Sequence, residues 1–127
     1  MFNEATLVGN VGRDPEIRNT QTGKLVCNLS VATSSGSGDN KQTEWHRVVL
    51  WEKSAEIAQQ YVRKGTLVMI RGMIRTRKWE KDGQDRYSTE IVVGGYGTHI
   101  RTLKDSTEKT AALAESDDPP FEMNDDL

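Results

Sequence analysis

Apolar and polar positions alternate with period two in stretch after stretch of this chain, the spacing of strands with one face buried. The pattern is sharpest at Leu25–Thr33. Leu25, Cys27, Leu29 and Val31 are all apolar, while Val26, Asn28, Ser30 and Ala32 are small or polar, which predicts a half-buried strand. Ala5–Val11 alternates more weakly and predicts an earlier strand, with Gly9 marking a bulge or a close backbone approach. Asp14-Pro15 breaks the pattern, Thr22-Gly23-Lys24 reads as a turn, and Ser34–Asn40 has the composition of a flexible loop.

Two further strands carry unusual outer faces. Thr43–Trp51 is β-branched and aromatic, with neither Gly nor Pro. One side presents Glu44, His46, Val48 and Leu50; the other presents Trp45, Arg47, Val49 and Trp51. On this strand alone two readings are open: buried core tryptophans, or flat stacking surfaces with a cation between them. The stretch 66–79 breaks the tie. Val68, Ile70, Gly72 and Ile74 share one side, whereas Met69, Arg71, Met73, Arg75, Arg77 and Trp79 share the other. A face with three arginines is not buried in a core, because unpaired buried cations are costly. Two strands thus pair Trp with Arg on one side, which favours a binding surface over a merely solvated one.

Between them, Ser54–Lys64 predicts the domain's helix. Ser54 serves as N-cap; Ile57, Ala58, Tyr61 and Val62 form the core face; Arg63 and Lys64 lie in the last turn, with Gly65 after it. Lys81-Asp82-Gly83-Gln84 reads as a hairpin turn returning into a strand over 86–93, and a short strand follows over 98–103. Five or six short strands with one helix between the third and fourth predict an all-β fold, a five-stranded Greek-key barrel of the OB type. The alternation alone leaves the strand pairing open.

Charge divides the chain. The net charge of −2 conceals 16 Lys+Arg against 11 Asp+Glu in residues 1–104, a net of +5, and one Lys against 8 Asp+Glu in residues 105–127, a net of −7. A basic domain over 1–104 followed by a disordered acidic tail over 105–127 is expected. Met1–Glu4 has no basic region leading into an apolar run, and no stretch approaches the roughly 20 apolar residues of a membrane span, so neither a secretory signal nor a membrane partner is expected. The single cysteine, Cys27, sits at strand spacing among apolar residues and predicts a buried structural thiol in a reducing, cytoplasmic setting. His46 and His99 are the only histidines, and no cluster has metal-ligand spacing; no metal, cofactor or catalysis is expected.

Several segments together resemble the bacterial-type single-stranded DNA-binding proteins: Leu7-Val8-Gly9-Asn10-Val11-Gly12-Arg13-Asp14-Pro15-Glu16, Gln42-Thr43-Glu44-Trp45-His46-Arg47-Val48-Val49-Leu50, Tyr61-Val62-Arg63-Lys64-Gly65, Arg75-Thr76-Arg77-Lys78-Trp79 and Gly83-Gln84-Asp85-Arg86-Tyr87-Ser88-Thr89-Glu90. The resemblance spans roughly residues 3–104 in order, and phage- and plasmid-encoded relatives share the pattern. It implies an OB fold, a homotetramer, and wrapping of single-stranded DNA without sequence specificity during replication, recombination and repair, in the cytoplasm at the nucleoid. It assigns DNA contact to Trp45, Arg47, Trp51, Arg75, Arg77 and Trp79, with Lys53 and Lys64 near the DNA path and His46 at the subunit interface; Arg71, on the same side of 66–79, is expected to join the DNA contacts. Trp51 stands where Phe is common.

The chain departs from the family's pattern in two places. Ser34–Asn40 lacks the aromatic that many relatives carry in that loop. Asp117, Asp118, Pro119, Pro120 and Phe121 resemble the acidic tip with which relatives recruit replication and repair proteins, but Glu122–Leu127 follow it. Two other readings compete with DNA coating. A primosome or RNA-binding relative on the same barrel is disfavoured by the acidic tail, and a nuclease or hydrolase is disfavoured by the lack of a metal or nucleophile cluster.

Overall fold

Ten consecutive residues of β3 (Leu25–Ser35) pair in register with β4 (Gln42–Trp51), from Val26 opposite Trp51 to Ser35 opposite Gln42. The rest of the fold is built outward from this hairpin. The structure is a computed structural model and describes residues 1–105. The expectations for the acidic segment, including Asp117–Phe121, lie outside the described residues.

The remaining elements are β1 (Ala5–Val11), β2 (Glu16–Asn19), a short 3-10 turn at Gly38–Asn40, helix α1 (Lys53–Tyr61), β5 (Leu67–Lys81), β6 (Gln84–Val93) and β7 (His99–Lys104). The sheet runs β1-β3-β4-β6-β5, and β1 also pairs with β5, which closes a barrel. The β4–β6 pairing is parallel and the other pairings are antiparallel. With α1 between the third and fourth barrel strands, this is the predicted five-stranded OB arrangement. β2 adds to the edge at β3, and β7 adds to β5.

The core takes the face that the alternation assigned inward. Leu29, Val31, Val48, Leu50, Val68 and Ile70 are at most 1% exposed, and each such side chain contributes roughly 1.5–3 kcal/mol on burial. The buried Ala55 and Ala58 of α1, with Val62 just after it, join that core. Two glycines let backbones touch. A Cβ on Gly9 would stand 2.2 Å from the Ala32 carbonyl oxygen, and one on Gly72 would stand 2.5 Å from that of Val92. The close approach expected at Gly9 is thus a contact between β1 and β3.

Four expectations are corrected. Asp14-Pro15 does break the pattern, but β2, a strand not assigned from the sequence, follows at once; Ile17 packs against the core from it. The helix starts at Lys53 and ends at Tyr61, not at Ser54 and Lys64, and its N-cap residue is Glu52, with no side-chain capping bond. Arg63 and Lys64 therefore follow the helix, in a loop sewn to β1: Lys64 N donates to Asp14 Oδ1 at 2.8 Å and Gly65 N to the Val11 carbonyl at 2.8 Å. Tyr61, assigned to the core face and the last residue of α1, is 59% exposed. Finally, β3 is not half-buried but buried on both faces from Val26 to Ala32. Its small outward positions stand opposite Trp51, Val49, Arg47 and Trp45, whose large side chains cover them.

Strand β4 runs into α1 with no intervening loop, and the junction falls on Glu52 at φ 51°, ψ −113°. Those angles belong to the mirror-image turns that glycine dominates. A non-glycine residue there stores on the order of 1–3 kcal/mol of strain, and no hydrogen bond from the Glu52 side chain to the helix offsets it. Glu52→Gly is expected to raise the urea midpoint by the equivalent of about 1 kcal/mol, after the entropic cost of glycine is deducted. A lowered midpoint would show that the junction is unstrained.

Candidate nucleic-acid interface

The outward rows of β4, β5 and β6 form one continuous face. β4 supplies Trp45, Arg47, Val49 and Trp51. The Asp82-Gly83 turn, with both residues at positive φ, fixes the β5–β6 register so that Arg75 lies opposite Glu90, Arg77 opposite Ser88 and Trp79 opposite Arg86. Arg47 Nη1 donates to Ser88 Oγ at 3.1 Å, linking β4 to β6 across this face.

At its centre lies a buried carboxylate. Glu90 Oε1 accepts from Arg75 Nη2 at 2.6 Å and pairs with Arg77 Nε at 3.3 Å; the Glu90 side chain is wholly buried while those of Arg75 and Arg77 are 46% and 26% exposed. One anion therefore holds two guanidinium groups whose outer parts still reach solvent, and the trio keeps a net positive charge. Long flexible cations pinned in this way lose less entropy when they meet a phosphate or a base.

The three tryptophans are held differently. The Trp45 ring lies directly against Gly12, where an added Cβ would come within 2.3 Å of it. Trp51 backs onto Gly94 and stands between two clefts. One, of about 350 Å3, also involves Lys53, Ser54 and His99; the other, of about 180 Å3, reaches Arg75, Arg77 and Glu90. Trp79 is partly exposed on the part of the hairpin that runs beyond the core.

Of the residues picked out in the sequence, the structure therefore brings Trp45, Arg47, Trp51, Arg75, Arg77 and Trp79 onto one face, with exposed Lys53 at its margin. Arg71 is set apart: it pairs with Glu4 at 3.4 Å and stands in register with Thr6 of β1 and His99 of β7. Lys64 is exposed in the loop beside the end of β1. Sequence reasoning missed Arg18, Glu90 and Arg86. Arg18 comes from β2 and lines the smaller cleft with Trp51. Its signal was the local alternation of Glu16, Ile17 and Arg18, hidden by the proline before it.

His46 occupies the opposite, concave side, past the rim of the closed core. It shares a 2.8 Å hydrogen bond with Thr33 Oγ1 and lines a cleft of about 600 Å3 with Leu7, Ile74, Tyr87 and Ile91. Ile74 and Tyr87 are 48% and 66% exposed there. Partial burial lowers the His46 pKa from its ordinary 6.5, opposed by the nearby Glu44 carboxylate, which raises it. A histidine whose folded pKa is depressed costs no stability above its unfolded value. Folding stability is then lost as pH falls from the ordinary value toward the lowered one, because the unfolded chain takes up the proton first. His46→Gln is expected to abolish this acid-side loss below about pH 6.5 in urea titrations; an unchanged pH profile would assign the loss to another group.

Burial, helped by the Glu16 charge, pushes the Cys27 thiol up to about 12, so it stays protonated at neutral pH. Among the described residues no three His, Cys, Asp or Glu side chains gather as a metal site requires. No helix among them is long and apolar enough to cross a membrane.

A solved structure described as Plasmodium falciparum SSB complex with ssDNA is 30% identical, with a TM-score of 0.77, over 82% of this chain and 96% of that one. The model of the Single-strand binding protein family matches residues 2–100. A closed five-stranded barrel, three tryptophans and a cluster of arginines on one outer face, and a family match over most of its length place this chain in the single-strand binding protein family.

Proposed function

We propose that this protein binds single-stranded DNA without catalysis, coating transient single strands during replication, recombination and repair. The observation that carries the reading is the outer face on which Trp45, Trp51 and Trp79 alternate with Arg47, Arg75 and Arg77. Aromatic faces accept any base and arginines accept any phosphate, so such a surface is sequence-tolerant by construction. The net of +5 over residues 1–104 adds long-range attraction.

The working unit in this reading is a homotetramer. The half-exposed Ile74 and Tyr87 beside His46 form an apolar patch in a cleft that a second copy would cover. A single barrel covers only about 4–16 nucleotides, so wrapping a longer strand needs several. Residues 1–104 are the DNA-binding domain, and the acidic segment 105–127, with Asp117, Asp118, Pro119, Pro120 and Phe121, recruits replication and repair proteins. The setting is the cytoplasm at the nucleoid.

Light scattering of the full chain with and without oligo-dT tests assembly and ligand together. A mass of four chains that rises by one or more oligonucleotides is expected; a monomer mass at micromolar concentration would end the tetramer reading. Competition by an RNA oligonucleotide of equal length separates a DNA-coating role from an RNA-binding one.

A further inference from the structure

Beside the smaller cleft at Trp51 lies an unanswered acceptor, closed off from solvent. Glu90 is 1% exposed, and both cations at its carboxylate meet the same oxygen, Oε1. The other oxygen, Oε2, is buried with no hydrogen-bond partner among the described residues. A buried acceptor left unmatched is destabilising and rare in native proteins, and an ionised carboxylate can only accept. Glu90 lines a cleft of about 180 Å3 with Val26 and Val49, and Trp51 and Arg18 line it too. That volume is below the roughly 300–1,000 Å3 of small-molecule sites. It suits one ring of a longer ligand whose remainder lies along the face.

We propose that this cleft, lined by residues of β2, β3, β4, β5 and β6, is a subsite for one nucleobase bearing an exocyclic amino group, which donates to Glu90 Oε2. The inference rests on the single-stranded DNA reading of the face and refines it. Val26 and Val49 offer apolar contact, and Trp51 offers a stacking wall. Arg75 is nearly half exposed, and in this proposal it exchanges its contact with Glu90 for one with the DNA. When it turns outward to a phosphate, the carboxylate is uncovered for the base. Cytosine presents an N4 amino donor that carboxylates accept from. Thymine presents two carbonyl oxygens flanking its one N–H, and a carboxylate repels both. The face is thus sequence-tolerant along most of its length and discriminating at one position per barrel.

The test compares oligo-dC with oligo-dT of equal length by fluorescence anisotropy, on the full chain and on its Glu90→Gln variant. A glutamine amide can donate as well as accept, so the discrimination should vanish. The dC-to-dT affinity ratio is expected to fall about fivefold in the variant, as one charge-assisted hydrogen bond would give. A ratio that does not move, with both affinities changed alike, would overturn the proposal and leave Glu90 only as the anchor of Arg75 and Arg77. A second arm needs no variant: an oligonucleotide of 2-pyrimidinone, cytosine without its amino group, should bind the wild-type protein about fivefold more weakly than oligo-dC. Equal binding would also overturn it. Failure of the wild-type chain to bind any of these oligonucleotides would remove the DNA reading itself, whereas binding with unchanged ratios removes the base subsite alone.

Discussion

Replacing Arg75 and Arg77 together by Met is expected to cost about 3–5 kcal/mol of folding stability, the scale for stranding a buried charge. Glu90 is fully buried, and these two guanidinium groups are the cations bonded to its Oε1. Either single replacement leaves the other arginine in place and should cost much less, so the double loss exceeds the two singles added together. The measurement is the urea midpoint at constant slope. Adding Glu90→Leu to the double variant should restore most of the loss, because an apolar trio in place of a buried ionic one is often neutral or better. If the double variant is no less stable than the singles combined, then Glu90 does not depend on the pair. The restored triple variant would still lack two cations of the proposed DNA face, so a return of stability without a return of DNA affinity would separate the structural role of the cluster from the binding role proposed for it.

That cluster was within reach of the sequence. Asp82-Gly83 is a two-residue hairpin turn, and counting back from it along both strands sets Arg77 opposite Ser88 and Arg75 opposite Glu90. Period two gave the side on which each arginine lies; the turn gave its partner. Other features were legible only in part. Alternation told which residues of β3 face inward but said nothing of what covers the outer side, and cross-strand Trp and Arg cover it. β2 is four residues long, too short for the alternation of Glu16, Ile17 and Arg18 to stand out, and its pairing with β3 is a long-range contact. The helix start was misplaced by one residue because a serine cap was expected, whereas β4 turns directly into α1 at the strained Glu52. Tyr61 obeys the helical period yet is exposed as the last residue of α1, since periodicity alone does not say how far along a helix the core extends. The tryptophan faces were readable because a strand strictly alternates, whatever its partners.

Among the three tryptophans, Trp79 gives the cleanest loss of function. Trp45 lies on Gly12 and Trp51 on Gly94, so removing either also loosens the backbone packing around it. Trp79 stands on the part of the β5–β6 hairpin beyond the core, opposite Arg86, and takes no part in the core cluster. Trp79→Ala should therefore leave the urea midpoint nearly unchanged. It should weaken oligo-dT binding by about 1–3 kcal/mol for each base that loses its stacking partner, an effect that repeats in every barrel the strand contacts. Tryptophan fluorescence, which base stacking quenches, should fall sharply when oligo-dT is added to the wild type. It should fall less in the variant, with Trp45 and Trp51 left to report. The salt dependence should not move, since no cation has been removed and the slope counts displaced counterions. An affinity loss accompanied by a shallower salt slope would mean that Arg86, freed from its neighbour, had left the face as well. Unchanged affinity and unchanged quenching would take Trp79 out of the DNA path and leave Trp45 and Trp51 as its stacking platforms.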